Sequence, residues 1–229
     1  MTHPLSLILC LSAALASTQA AAADPSPVVA AERAFAADGL ALGVKDSFLK
    51  HSTPDAIVFD PEPVRAHEVL AKRPDAKGPP LVWWPLWAGI ARSGDLGFTT
   101  GPATFDGKPS GWYFTVWARQ ADGGWKWVYD GGSGSARGGA PGPDAAVAHL
   151  AVASGPDQSA EASLAEIREL ETALATQALT DAQGALKAVL APDARVAGSP
   201  APPAMDPAAV AAELNTRATS IEFAHLGGG

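Results

Sequence analysis

The spacing of apolar positions changes after residue 55, and the change separates helix from strand. From Val28 to His51 apolar side chains recur at Phe35, Leu40, Val44 and Phe48, near-helical spacing that puts one stripe against a core. Gly39 and Gly43 interrupt the stripe, each costing about 1 kcal/mol against Ala in a helix, so a break or kink is expected there. Pro54-Asp55 ends that arm, and Ala56-Ile57-Val58-Phe59 reads as a short strand. Pro61 and Pro63 punctuate the chain, and Arg65 to Lys72 reads as a short helix stopped by Pro74.

Strand signals dominate from Leu81 to Asp130. Leu81 to Arg92 is a strand in which Pro85 marks a bulge or an edge position. Ser93-Gly94-Asp95 is turn chemistry, and Leu96 to Phe105 follows it. Trp112 to Arg119 and Trp125 to Asp130 are joined by Ala121-Asp122-Gly123-Gly124, a short hairpin connection. Alternation puts Trp112, Phe114 and Val116 on one face and Tyr113, Thr115 and Trp117 on the other. Aromatic residues on both faces predict a sheet covered on both sides. Helices followed by consecutive antiparallel strands define an α+β domain.

The first residues have a different character. Pro4 to Ala16 is an apolar run, followed by small residues with A-x-A-like sites, so residues 1–23 read as a secretory signal peptide. Cleavage after Ala20, Ala22 or Ala23 fits equally well. The run is too short to span a bilayer, and no later stretch reaches the ~20 apolar residues a spanning helix needs. The expectation is an exported protein, periplasmic or extracellular, with no membrane association after cleavage. Cys10 is the only cysteine, so the mature chain would have neither disulfides nor thiol chemistry.

Charge narrows the partners. With 16 Lys+Arg against 24 Asp+Glu and a formal net charge of -8, the chain lacks the clustered cations that bind nucleic acid or anionic membranes. The spacing of His3, His51, His67, His149 and His225 includes neither H-x-H nor H-E-x-x-H, so no metal is expected. G-x-S-x-G is also missing, which excludes a nucleophile-elbow hydrolase. No cofactor is implied.

Aromatic content divides the chain in two. Of the 7 Phe, 7 Trp and 2 Tyr, only Phe223 lies outside Phe35–Tyr129, so the first unit has the larger core. Residues 133–160 are rich in Gly, Pro, Ser and Ala and read as a linker. Their glycines form no GxxxxGK[ST] phosphate cradle. Beyond them the first unit starts again: Glu32, Ala34, Phe35 and Leu40 match Glu171, Ala173, Leu174 and Leu179 at one constant offset. Pro54-Asp55-Ala56-x-Val58 matches Pro192-Asp193-Ala194-x-Val196 with one residue lost. Residues 164–229 are therefore expected to be an incomplete, mostly helical second copy, truncated or degenerate and packing on the first.

Several segments carry a family resemblance. The order of elements, Ala31-Glu32-Arg33-Ala34-Phe35, SGDLGFTTG at Ser93–Gly101 and VWARQADGGWKWVYDGG at Val116–Gly132 resemble the nuclear transport factor 2-like superfamily. More narrowly, they resemble its SnoaL-like, ketosteroid-isomerase-like branch of secreted bacterial proteins. The resemblance covers about residues 27–132 and weakly 164–229. It implies a curved antiparallel sheet wrapped around the N-terminal helices, a cone with a pocket at its open end. Members include isomerases, cyclases, dehydratases and non-catalytic association modules, so the fold alone selects no reaction. Enzymatic members use a carboxylate base and a Tyr or Asp donor, without a metal.

That chemistry directs attention to particular residues. Proton abstraction beside a carbonyl needs a carboxylate and a donor for the enolate oxygen. Asp60 and Asp130, at strand ends, are the candidate carboxylates; Tyr113 and Tyr129 are candidate donors, and His51 is a further base. Trp83, Trp87, Trp112, Trp117 and Tyr129 are candidates for lining an apolar cavity. Three readings stay open: a binder of a small apolar molecule, a metal-independent acid/base enzyme, and a homodimeric association module.

Overall fold

The first helix buries a stripe that is not wholly apolar. α1 (Ser26–Leu42) turns Val28, Glu32, Phe35 and Gly39 inward at helical spacing, so a carboxylic acid sits within an otherwise apolar face. Its first turn is tied by the Asp24 carboxylate, which accepts from the Ser26 backbone N–H at 2.9 Å. The structure is a computed structural model, and it describes residues 24–74, 80–134, 139–152, 158–191, 194–195, 207–215 and 218–223. The expected signal peptide lies outside the described residues.

Only one of the two glycines breaks the helix. Gly43, at φ 85°, separates α1 from α2 (Val44–His51). Gly39 stays helical because its missing side chain admits Trp83: a Cβ there would lie 2.4 Å from the indole edge. Leu40, counted in the apolar stripe, points outward and is 56% exposed.

Past α2 the chain builds one sheet. β1 (Ser52–Phe59), β2 (Pro63–Arg65), β3 (Leu81–Trp83), β4 (Trp87–Ile90), β5 (Leu96–Phe105), β6 (Lys108–Arg119), β7 (Trp125–Gly134) and β8 (Ala148–His149) are its strands. The short helix α3 (Ala66–Leu70) follows β2. The strand order is β2-β1-β7-β6-β5-β4-β8, with β3 also on β5. Pro85 splits the expected strand 81–92 into β3 and β4, since it can donate no ladder hydrogen bond.

The sheet is mixed, a correction to the purely antiparallel expectation. β1 runs parallel to β7 and β8 parallel to β4, while the other pairs are antiparallel. β8 comes from the stretch read as linker, and the Trp84 indole N–H donates to the Pro141 carbonyl at 2.9 Å in the same stretch.

The unclosed sheet curves around α1 and α2, an α+β cone of the kind the resemblance implies. Tyr113, Thr115 and Trp117 face the interior with Phe35, Trp83 and Trp127, all buried. Phe35 anchors this core, its ring 4.7 Å from Phe48 and 4.9 Å from Trp83. The opposite face holds Trp87, Phe98 and Phe114, with Phe98 and Phe114 stacked at 5.3 Å. That face is only partly covered: Phe114 is 36% exposed.

The second half is helical where it is described: α4 (Ala160–Ala178), α5 (Ala182–Val189) and α6 (Pro207–Asn215). Val210 and Leu214 form a small cluster with Leu186 and Leu190, apart from the main core. Ile167 and Leu170 on α4 are about half exposed. Ala194 and Arg195, within the match to the start of β1, are in neither helix nor strand, and the remainder of that match lies outside the described residues. No helix among the described residues is long and apolar enough to cross a membrane.

Candidate functional site

The cone interior holds a network of two carboxylic acids. Glu32 is fully buried on α1 and meets donors from three strands. The Trp83 indole N–H donates to its Oε1 at 2.6 Å, and the Trp117 indole N–H donates to its Oε2 at 3.2 Å. The Thr99 hydroxyl also donates to Oε2. Burial pushes Glu32 up to about 7, because the loss of hydration outweighs the stabilisation these donors give its charge.

Strand register places the second acid. Thr99 of β5 lies opposite Thr115 of β6, and Thr115 lies opposite Asp130 of β7, so the three share the inner face. The Thr115 hydroxyl donates to Asp130 Oδ2 at 2.7 Å. As a residue Asp130 is only partly buried, but its carboxyl is enclosed enough that lost hydration pushes it up to about 7. Thr115 opposes that rise, and the charge of Glu32 adds to it.

Tyr113 lies two residues before Thr115 on the same face, and its hydroxyl is buried without a hydrogen-bond partner among the described residues. Thr99 lies nearby but outside hydrogen-bonding geometry. Burial, then the nearby Glu32 charge, raises the phenol well above its ordinary value, so it stays a neutral donor. A buried hydroxyl without a partner costs about 1–3 kcal/mol.

The other expected site residues are dispersed. His51, at the end of α2, is 2.6 Å from the Asp38 carboxylate, which also pairs with Lys50 at 2.7 Å. Burial lowers His51 although Asp38 opposes this, while Lys50 and then His51 hold Asp38 low. Asp60 is exposed and accepts from Arg73 at 3.1 Å, away from the network. Of the aromatic candidates, Trp83 and Trp117 are inside and bound to Glu32. Trp87, Trp112 and Tyr129 face outward: Trp87 packs on Phe98, Trp112 donates to Thr100 at 3.0 Å, and Tyr129 packs on Phe59. They do not line one cavity.

The sequence reading missed Glu32, Thr99 and Thr115. The signal for Glu32 was its place in the stripe, four residues after Val28 and three before Phe35. Two surface concavities lie outside the cone: about 600 Å³ along α4, and about 460 Å³ between α1 and the Val147–His149 stretch. Among the described residues no cluster of three or more His, Cys, Asp or Glu could hold a metal.

No protein family profile and no curated protein matches the chain. Solved structures resemble about half of it. ActVI-ORFA from Streptomyces coelicolor is 12% identical, over 48% of this chain and 95% of its own, with a TM-score of 0.35. An NTF-2 like protein of unknown function from Burkholderia xenovorans LB400 is 19% identical, over 51% and 89%, with a TM-score of 0.34. A protein provisionally assigned as a ketosteroid isomerase, from Parabacteroides distasonis, is 16% identical over 51% and 96%, with a TM-score of 0.36. At these identities and scores the likenesses say nothing of a reaction.

Proposed function

We propose that the first unit binds a small, largely apolar molecule carrying one hydrogen-bonding group, held at the Tyr113–Asp130 side of the cone. The observation that carries this reading is the buried, unpartnered Tyr113 hydroxyl beside two acids. Aromatic packing would bind the apolar body, and Tyr113 would donate to a carbonyl or similar acceptor. Entry from the Asp130 side fits the partial exposure of that residue, since Glu32 is enclosed. The N-terminal run supports export, so the ligand would be met outside the cytoplasm.

An acid/base enzyme is the second reading, favoured by Asp130, which at about 7 can give or take a proton near neutral pH. Both readings are tested with a panel of apolar ketones, followed by quenching of Trp fluorescence and by loss of α-protons in deuterated buffer. Saturable binding weakened about tenfold in Tyr113→Phe, the equivalent of one lost hydrogen bond, supports the binding site. Binding unaffected by Tyr113→Phe, or no binding at millimolar ligand, refutes it. Exchange that is lost in Asp130→Asn while binding survives establishes the enzyme.

A further inference from the structure

We propose that the outer aromatic face of the sheet is the seat of the chain's own second half, latched by Arg195 over Trp87 and thereby closed to a second copy. This seat and the ligand reading above stand or fall separately, because Tyr113 and Asp130 lie on the opposite face of the same sheet.

Strand alternation builds the face. Trp87 of β4 packs on Phe98 of β5 with ring centroids 5.2 Å apart, and Phe98 stacks on Phe114 of β6. One end of this ladder is covered from far along the chain: the Arg195 guanidinium carbon lies 4.2 Å from the centre of the Trp87 ring. At that distance the cation meets the negative face of the indole, the strongest partner among the aromatic rings. The other end of the ladder, Phe114, is 36% exposed. Arg195 thus brings the second half onto an apolar surface that the first unit leaves partly open.

Chain connectivity selects the occupant. β8 runs along β4 with Ala148 opposite Trp87, and the Leu150 N–H donates to the Ala88 carbonyl at 2.8 Å. The first unit therefore releases the chain beside Trp87. From Leu150 to the start of α4 at Ala160 the chain can travel at most about 35 Å. A tether that short holds the second half at an effective concentration of about 1 mM, so a second copy at about 10 µM competes at roughly a hundredfold disadvantage. The second half also gains by contact. Its buried cluster is only Val210 and Leu214 with Leu186 and Leu190, and Ile167 and Leu170 stay about half exposed. A helical unit with so small a core needs a neighbouring surface to hold it.

The test is hydroxyl-radical labelling of aromatic side chains in the full chain, read by mass spectrometry, with sedimentation velocity run alongside. The wild-type chain should sediment as a monomer, with Trp87 labelling independent of protein concentration from about 5 to 200 µM. Arg195→Gln removes the cation and should raise Trp87 labelling at least about twofold, whereas Arg195→Lys, which keeps a cation, should raise it less than half as much. Trp117, in the main core, is the internal reference. If its labelling rises with that of Trp87, the whole unit has loosened and Trp87→Leu decides instead: a larger Stokes radius supports the latch, and an unchanged one overturns it. Trp87 labelling unmoved in Arg195→Gln also overturns the latch. So does a wild-type dimer in which Trp87 becomes protected only as concentration rises, since the occupant would then be a second copy.

Discussion

A buried acid pair makes stability fall as pH rises, and the size of the fall can be worked from the site. Glu32 titrates near 4.5 in a chain without structure and at about 7 in the fold. Between those values the folded protein keeps a proton the unfolded chain has released, so its contribution is complete below 4.5 and lost as pH rises through about 7. At 1.36 kcal/mol per pH unit, Glu32 alone accounts for about 2–3 kcal/mol between pH 5 and 8. Asp130 moves in the same direction, from 3.8 to about 7. Its partial exposure calls for a discount, and the two ionisations are not independent, so the pair together is expected to cost about 3–5 kcal/mol. That is a large part of the 5–15 kcal/mol typical of a domain.

Urea unfolding followed by Trp fluorescence is the assay, because all 7 Trp lie between Trp83 and Trp127. The midpoint should drop by about 1 M or more from pH 5 to pH 8, given a slope of ~1–3 kcal/mol per M. Two other groups need separating. Asp38 is held low, so its contribution is lost only in acid, below the window. His51 is lowered, so its contribution is lost as pH falls through its folded value and opposes the trend on the acid side. A His51→Gln background removes that opposition, and Glu32→Gln in the same background should flatten the slope. A midpoint that is constant or rising from pH 5 to 8 would refute the claim that these acids are buried together.

Two further substitutions test the packing around the network. Tyr113→Phe deletes a hydroxyl without a partner, so thermal unfolding should show unchanged stability or a gain of up to about 1 kcal/mol; a loss beyond that would mean the hydroxyl is bonded in solution. Gly39→Ala would put a Cβ 2.4 Å from the Trp83 ring, and overpacking of about 1–3 kcal/mol should outweigh the ~1 kcal/mol gained in helix propensity. The expected result is a lower Tm, and a higher one would place the indole elsewhere.

The sequence made strand faces and breaks legible, but not the partners that cross them. Alternation from Trp112 to Trp117 sorted the two faces of β6 because the pleat has a fixed period. Gly43 marked the boundary between α1 and α2, whereas Gly39 is a contact site, and only a tertiary neighbour 44 residues away in the chain, Trp83, distinguishes the two. The parallel β1–β7 pairing was illegible because it joins strands from the two ends of the unit. Carboxylates at strand ends drew attention to Asp60 and Asp130 alike, yet the inward register opposite Thr115 belongs to Asp130 alone. Glu32 was hidden by habit: a charged residue in a helix is usually on the solvated face, and its burial depends on indole donors far along the chain.

Those indole donors also say why an acid stands where a Leu would pack. Trp83 and Trp117 bring N–H groups to the interior, and the Thr99 hydroxyl arrives with them; Trp117 also donates to Thr99 Oγ1 at 3.0 Å, but an aliphatic side chain at residue 32 would leave the Trp83 N–H and the Thr99 hydroxyl without an acceptor. The cost, at about 1–3 kcal/mol for each unsatisfied group, exceeds the 2–3 kcal/mol a buried Leu contributes. Glu32 is thus required by its donors, but this requirement accounts only for the inner end of the network. Among the described residues the Asp130 carboxylate accepts a side-chain hydrogen bond from Thr115 alone, and the Tyr113 hydroxyl neither accepts nor donates one. A structural role is sufficient for Glu32, therefore, and insufficient for the Tyr113–Asp130 side. The unsatisfied end of the network is where a ligand group has something to gain, and it is the end nearer to solvent.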